Sequence, residues 1–487
     1  MTPLMLLPLL TPVLASLLSV AVGWRRLSAV ATLGSALTIL GCGVVLGFRV
    51  DDRAHLALNG LLRADALSAT MLIVIGVVAS LATWASIGYV DAELARGVTD
   101  RRGARIYGVL TPAFLAAMVL AVSANNIGVV WVAVEATTVV TAFLVGHHRS
   151  RAALEATWKY VMVCSVGITV AFLGTVLLHF AARHAGAGDD ALHLDVLAAH
   201  AAALDPAVTR LAGALLLIGY GAKMGLAPFH TWLADAHSQA PAPVSALMSG
   251  VLLSVAFSVL IRLKPIIDAA TGPAFLRAAL LATGLATLLI AALLLTVTTD
   301  LKRLLAYSSM ETMGLMAVAA AAGTRLAVAA LLLHVLAHGV GKTVLFLAGG
   351  QLQAAHGTTA ISEITGVLGR SRLVGGAFAV GMVVLLGLPP FAMFASELAI
   401  ATALADARLA WALGLTLVAL LVAFAALMAK SGRILLGTPS ADGPTILVPA
   451  TVAAALVTGV LVSLALGVTA GPLTGLFTAA ATQLGAL

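Results

Sequence analysis

Charge is scarce in this chain of 487 residues: Asp, Glu, Lys and Arg together make up 10% of it. A soluble globular domain carries about 25%. Hydrophobic residues account for 61%, and the mean hydropathy is +1.09. Such a composition excludes a soluble enzyme and a disordered chain. Cysteine is nearly absent. Cys42 and Cys164 both lie inside apolar runs, with no CxxC and no Cys/His ligand cluster by spacing. That pattern excludes an iron–sulfur cluster or a zinc site built by this chain alone. No Ser/His/Asp or Cys/His order suggests hydrolysis. GVGKT at 339–343 lacks the leading glycine of a phosphate loop and lies within an apolar run. The net charge of +7 reads as membrane orientation and not as a nucleic-acid footprint.

What is present is apolar run after apolar run. About fourteen, from 3–22 to 444–469, are long enough for membrane helices. They are Ala/Leu-rich and do not alternate, so strands are not expected. The first run has no basic start, and Arg25 and Arg26 follow it, so it does not read as a cleavable signal. With the N-terminus outside, inner loops hold more than half of the 27 basic residues, which puts both termini on the outer side. The longest outer loop, 182–210, then carries Asp189, Asp190, Asp195 and Asp205. An N-terminal three-helix segment is expected over 1–106, a first repeat over 107–265, a second inverted repeat over 274–430, and a C-terminal helix and tail over 431–487.

Two runs are interrupted, at KMGLAPFH (223–230) and GLPPFAMFASE (387–397). Proline removes a backbone donor and clashes with the preceding turn, so each site should kink or unwind its helix. Freed backbone groups at membrane depth must face protein or water. Breaks at matching places in two halves point to an inverted-repeat transporter, with spans 4–8 and 9–13 as the units and breaks in spans 7 and 12. The same pattern is also what two ordinary proline kinks would produce.

Against so little charge, the few ionisable residues inside spans stand out. These are Glu135, Lys223, Glu311, Lys342 and Glu397, with His334 and His338. Each charge at a helix centre costs about 2.5–3.5 kcal/mol on insertion scales, so it persists when paired, hydrated or used. His334, His338 and Lys342 recur every four residues and share one helical stripe. Such a stripe suits proton relay, a polar packing seam, or a metal site lacking a third ligand nearby. Glu135 and Lys223 have opposite signs and fit either a switching pair or a static buried ion pair. Glu397 has no partner in its own span, and Glu311 lies near a helix start from which it can reach the inner surface. His230, Asp235 and His237 follow the first break and are placed at the cytoplasmic rim, where His230 is a candidate proton entrance. Asp300 and Lys302 are further candidates at the inner end of the next half, and His147 and His148 beside Arg149 and Arg151 read as interfacial anchors.

These residues carry a resemblance. Glu135 in its span, KMGLAPFHTWLADAHSQAPAPVSALMSG (223–250), DLKRLLAYSSMETMG (300–314), HVLAHGVGKTVLFLAGG (334–350) and GLPPFAMFASE (387–397) resemble the antiporter-like membrane subunits of respiratory complex I and of multi-subunit cation/proton antiporters. AYSSMETMG and the double proline followed by FASE most resemble the component F branch of hydrogenase-4-type complexes. The resemblance covers about 110–400. It implies an all-α polytopic membrane protein of about fourteen spans, with two inverted five-helix repeats and broken helices seven and twelve. It implies that Glu135 and Lys223 are a coupling pair, that His334, His338 and Lys342 belong to a central hydrophilic axis, and that Glu397 is the terminal acid or base. It further implies no cofactor on this chain, with NiFe and iron–sulfur centres in partner subunits of a soluble redox arm. Many complex I relatives carry a lysine early in helix eight, where this chain has Ser254. The alternatives are a gradient-driven antiporter subunit and a non-transporting scaffold or inorganic-carbon uptake partner.

Overall fold

The structure is a computed structural model that describes residues 1–49, 54–438 and 444–486. The helices, in chain order, are α1 (Thr2–Val22), α2 (Arg26–Arg49), α3 (Ala66–Ala95), α4 (Arg101–Ser123), α5 (Ile127–Val145), α6 (Arg151–His184), α7 (Leu194–His200), α8 (Pro206–Met224), α9 (Thr231–Gln239), α10 (Ala242–Leu247), α11 (Leu253–Thr271), α12 (Pro273–Val297), α13 (Leu301–Ala322), α14 (Arg325–His356), α15 (Val367–Arg370), α16 (Arg372–Leu385), α17 (Ala392–Asp406), α18 (Ala410–Leu436), α19 (Ala450–Thr469) and α20 (Gly471–Gln483). Twelve helices among the described residues are long and apolar enough to cross a membrane, with α10 and α11 joined as one. The interrupted pairs α8/α9 and α16/α17 fall where the two proline breaks were expected.

Several scarce acids are spent on starting helices. Asp65, Asp100, Asp205 and Asp300 each accept an N–H of the first turn of α3, α4, α8 and α13, which satisfies donors the helix leaves free. Small residues then let the helices close on one another. A Cβ on Gly219 of α8 would lie 2.5 Å from the Gly167 carbonyl of α6. Helices α3, α13 and α14 are almost wholly enclosed, whereas α1, α18 and α19 leave most of their residues at least partly exposed. The outward leucines on α18, such as Leu417 and Leu421, are a surface that only an apolar surrounding would cover at no cost.

Both breaks read Gly-Leu-x-Pro-Phe and share one geometry. Gly225 and Gly387 have φ of 76° and 59°, and each fourth-position proline, Pro228 and Pro390, follows a cis bond. In each, the phenylalanine N–H donates to the leucine carbonyl: Phe229 to Leu226 at 2.9 Å and Phe391 to Leu388 at 3.2 Å. A positive φ favours glycine at both positions. The span α10–α11 is continuous but carries a π turn over Met248–Leu252, where Gly250 and Gly339 of α14 approach so closely that neither has room for a Cβ.

Two expectations are corrected. The outer segment 182–210 is not one long loop: α6 runs to His184, α7 occupies Leu194–His200, and α8 starts at Pro206. Strands do occur, as a hairpin of His55–Ala57 with Leu62–Ala64. That hairpin sits outside the apolar runs, where no helical stripe competes with it.

The hairpin leads into Asp65, which is buried and paired with Arg262 of α11 and, at 2.6 Å, with Arg63. Burial alone would raise its carboxyl, but the Arg262 and Arg63 guanidinium groups hold it well below the usual range. Asp65→Asn keeps a capping oxygen and leaves Arg262 without its counter-charge. The expected loss is about 3–5 kcal/mol, the cost of stranding one buried partner. A thermal melt in detergent reads it; an unchanged midpoint would show that the pair contributes nothing. Because the folded carboxyl titrates low, its contribution is present above about pH 4 and is lost as pH falls below that.

Candidate functional site

Lys223 lies in the last turn of α8, immediately before the first break, with no solvent exposure. Its Nζ donates to Thr138 Oγ1 at 2.8 Å and to the Tyr160 hydroxyl at 2.6 Å. Tyr160 also bonds Thr141 at 2.6 Å, and its ring packs 4.9 Å from Trp232. Glu135 is half-buried on α5 and accepts a 2.9 Å bond from Ser165 on α6. Its Oε2 is buried and has no partner. Glu135 and Lys223 form no direct ion pair among the described residues, which sets aside the static ion pair and leaves the switching pair open. Each has hydroxyl partners of its own: Thr138, one turn along α5 from Glu135, and Tyr160 take the lysine, and Ser165 takes the carboxylate. Buried ions are satisfied by hydrogen bonds as well as by counter-charges.

The centre is a row of enclosed histidines. His237 on α9 is fully buried, not at a rim as expected, because α9 turns back into the bundle after the break. Its Nδ1 donates to the Leu233 carbonyl at 2.8 Å, and its Nε2 has no partner. His334 repeats the arrangement. Ser396 donates to Met393 at 2.8 Å, so His334 Nδ1 donates to Ser396 at 2.9 Å, and His334 Nε2 is left open. A carbonyl or an occupied hydroxyl on Nδ1 fixes the tautomer whose Nε2 is an acceptor. His338 has neither nitrogen in a well-formed hydrogen bond, with the Ser249 backbone of the π turn beside it. Around it lie the π turn, where Ser249 bonds Ser309 at 2.6 Å, and Ser254, whose hydroxyl is also unpartnered. Unsatisfied buried polar atoms in such number mark positions for ordered water.

Lys342 completes the α14 stripe. It is fully buried, donating to the Leu305 carbonyl at 2.7 Å and to the Ser308 hydroxyl. Glu311 is one turn beyond Ser308 on α13 and is buried in the helix interior, not directed at the inner surface as expected. It shares a cleft with Glu397, lined also by Leu385, Leu417, Leu421 and Phe424. Glu397 thus gains a neighbour that its own span did not offer. Its carboxylate rests against Gly387 so closely that a Cβ there would overlap it, which adds a second reason for glycine at that break.

Other candidates stay apart from this row. Asp300 caps α13 through the Arg303 N–H at 2.8 Å and accepts from Thr359, a structural placement. Lys302 is buried and not in a loop; it donates to the Ala240 carbonyl at 2.7 Å. His230 is half-exposed at the start of α9, and its Nδ1 is unpartnered. Asp235 is held by Lys159 at 2.9 Å and by Arg303. Sequence reasoning missed Thr138, Tyr160, Trp232, Ser249, Ser308 and Ser309. Tyr160 could have been found, being one of only five tyrosines and lying inside an apolar run.

Residues 124–424, about three-fifths of the chain, match the model of the NADH:quinone oxidoreductase/Mrp antiporter transmembrane family. The chain belongs to that family. Within it, the chain is 35% identical over 433 residues to a hydrogenase-4 component F homolog of Methylacidiphilum infernorum, covering 88% of this chain and 89% of that one. Its fold is that of a chain from the archaeal membrane-bound sulfane sulfur reductase, at TM-score 0.86 and 23% identity, covering 99% and 96% of the two chains. A chain of the Mrp complex from Dietzia sp. DQ12-45-1b matches as well, at TM-score 0.86 and 23% identity, covering 99% and 98%. Family membership makes this a multi-pass, antiporter-like membrane subunit, as the sequence motifs implied.

Proposed function

We propose that this subunit translocates protons through a connected set of buried groups, Glu135, Lys223, His237, Lys342, His338, His334, Glu311 and Glu397. Redox chemistry in partner subunits drives the movement. The observation that carries the reading is the series of enclosed histidines with open nitrogens alongside two buried lysines. Each open acceptor takes a proton from a water and passes one on, at no cost in helix bonds. Lys223 is held by neutral hydroxyls, so a shift of Glu135 toward or away from it changes its hold on a proton without breaking a contact. In this reading, 1–106 is an N-terminal segment, 107–265 and 274–430 are inverted repeats, and 431–487 is a C-terminal helix and tail. The shared Gly-Leu-x-Pro-Phe breaks support the repeats. Fourteen spans then result from twelve continuous helices and two interrupted pairs, with both termini on the outer side of the cell membrane.

The relative named as a hydrogenase-4 component F homolog supports a soluble redox arm carrying NiFe and iron–sulfur centres as the partner. The matching Mrp chain supports a gradient-driven antiporter as the second reading. Extraction in mild detergent through a tag on this chain, followed by mass spectrometry of the intact assembly, separates them. Iron–sulfur or hydrogenase subunits are the expected co-purifying partners. Recovery of small membrane subunits alone overturns the redox reading in favour of the antiporter. Liposomes holding the assembly should also build a proton gradient on turnover; turnover with no gradient would sink translocation.

A further inference from the structure

A second polar cluster lies outside the row. Glu93 is in the last turn of α3, and His147 and His148 are in the turn after α5. One ligand atom from each falls within 4.8 Å of the others. His148 Nε2 is 2.8 Å from Glu93 Oε1. His147 Nε2 is 3.6 Å from Glu93 Oε2, and both of these atoms are buried without a well-formed hydrogen bond, with the Tyr89 hydroxyl also beside the carboxylate.

The unpartnered pair needs an occupant. A separation of 3.6 Å is too long for a direct hydrogen bond. It fits a metal: ligands about 2.1 Å from a tetrahedral ion stand about 3.4 Å apart. Two imidazoles and a carboxylate, with a fourth position left for water, suit a borderline divalent ion of the zinc type. Hard cations prefer oxygen-only sets, and the absence of thiolate disfavours soft monovalent ions. The His147 and Glu93 side chains are 2% and 4% exposed, whereas that of His148 is 26% exposed, so one edge is open for loading.

We propose that Glu93, His147 and His148 bind one divalent transition-metal ion of the zinc class, clipping the end of α3 to the turn between α5 and α6. The exclusion of a zinc site drawn from cysteine and histidine spacing is thereby reversed, since spacing could not reveal a site whose carboxylate and histidines come from different segments. It is independent of the proton-row reading.

The test uses the intact assembly, purified without a polyhistidine tag and stripped with a chelator. Co2+ is then titrated, and wild type is compared with variants so that metal held by other subunits cancels. The expected result is one extra Co2+ per copy of this chain, with the visible bands of a tetrahedral ion, displaced by Zn2+. Glu93→Gln should abolish it. Should that variant fail to accumulate, His148→Gln on the open edge decides, with affinity expected to fall tenfold or more. His184→Gln, outside the cluster, should change nothing. No Co2+ or Zn2+ uptake in excess of the Glu93→Gln or His148→Gln background overturns the site, and so does an unchanged affinity in His148→Gln.

Discussion

Replacing Lys223 by alanine is expected to lower coupled proton movement by at least about a hundredfold, the scale of losing a positioned proton-transfer group. The fold should survive. Thr138 and Tyr160 lose a donor; Tyr160 keeps its bond to Thr141, and the cost at the buried Thr138 hydroxyl is about 1–3 kcal/mol at most. Lys223→Arg should not rescue transport, because a guanidinium keeps its proton across the working range. Glu135→Gln retains an oxygen for Ser165 and removes only the charge. It should therefore cut transport while leaving the melting temperature in place, a result that packing alone would not produce. Proton uptake into liposomes containing the assembly, read with a pH-sensitive dye, measures both. Wild-type rates in Lys223→Ala and Glu135→Gln together would refute the pathway.

Lys342→Met should be equally damaging to transport, again by about a hundredfold or more, with stability equal to wild type or higher. Removing an enclosed ammonium relieves its desolvation cost. Its main acceptor is not orphaned either, since Ser308 and Ser309 both donate to the Leu305 carbonyl. Opposite signs in the two measurements distinguish a functional charge from a packing one. Downstream, Glu311 and Glu397 share one cleft and should act as a unit. Once Glu397→Gln has cut transport, adding Glu311→Gln should cost less than it does alone, because neighbouring groups are not additive. Fully multiplicative losses would place the two acids on separate routes.

Much of the site was legible before the structure, for one reason: neighbours on a single helix are set by its pitch. His334, His338 and Lys342 are spaced by four and so share a face. The prolines at 228 and 390 announced the breaks, because proline cannot continue the backbone ladder. The charges inside apolar runs were conspicuous because so little charge was available. The cross-helix partners were not legible. Thr138, Tyr160 and Ser165 are ordinary residues in apolar runs, and nothing along the chain says that α5 and α6 present them to Lys223 and Glu135. Glu311 was misplaced because distance from a helix start does not tell which way a side chain faces. His237 was misplaced because a break does not tell whether the chain then leaves the bundle or turns back into it.

The sequence by itself determined that this is a many-helix membrane protein with two interrupted helices and a handful of enclosed charges, because hydropathy, proline and helical pitch are local properties. Only the tertiary structure decided what those charges meet. It gave Glu135 and Lys223 separate hydroxyl partners, left histidine nitrogens open along α9 and α14, and brought Glu311 to Glu397 and Glu93 to His147. Those contacts join segments far apart in the chain, and they exist only once small residues have let the helices close on one another.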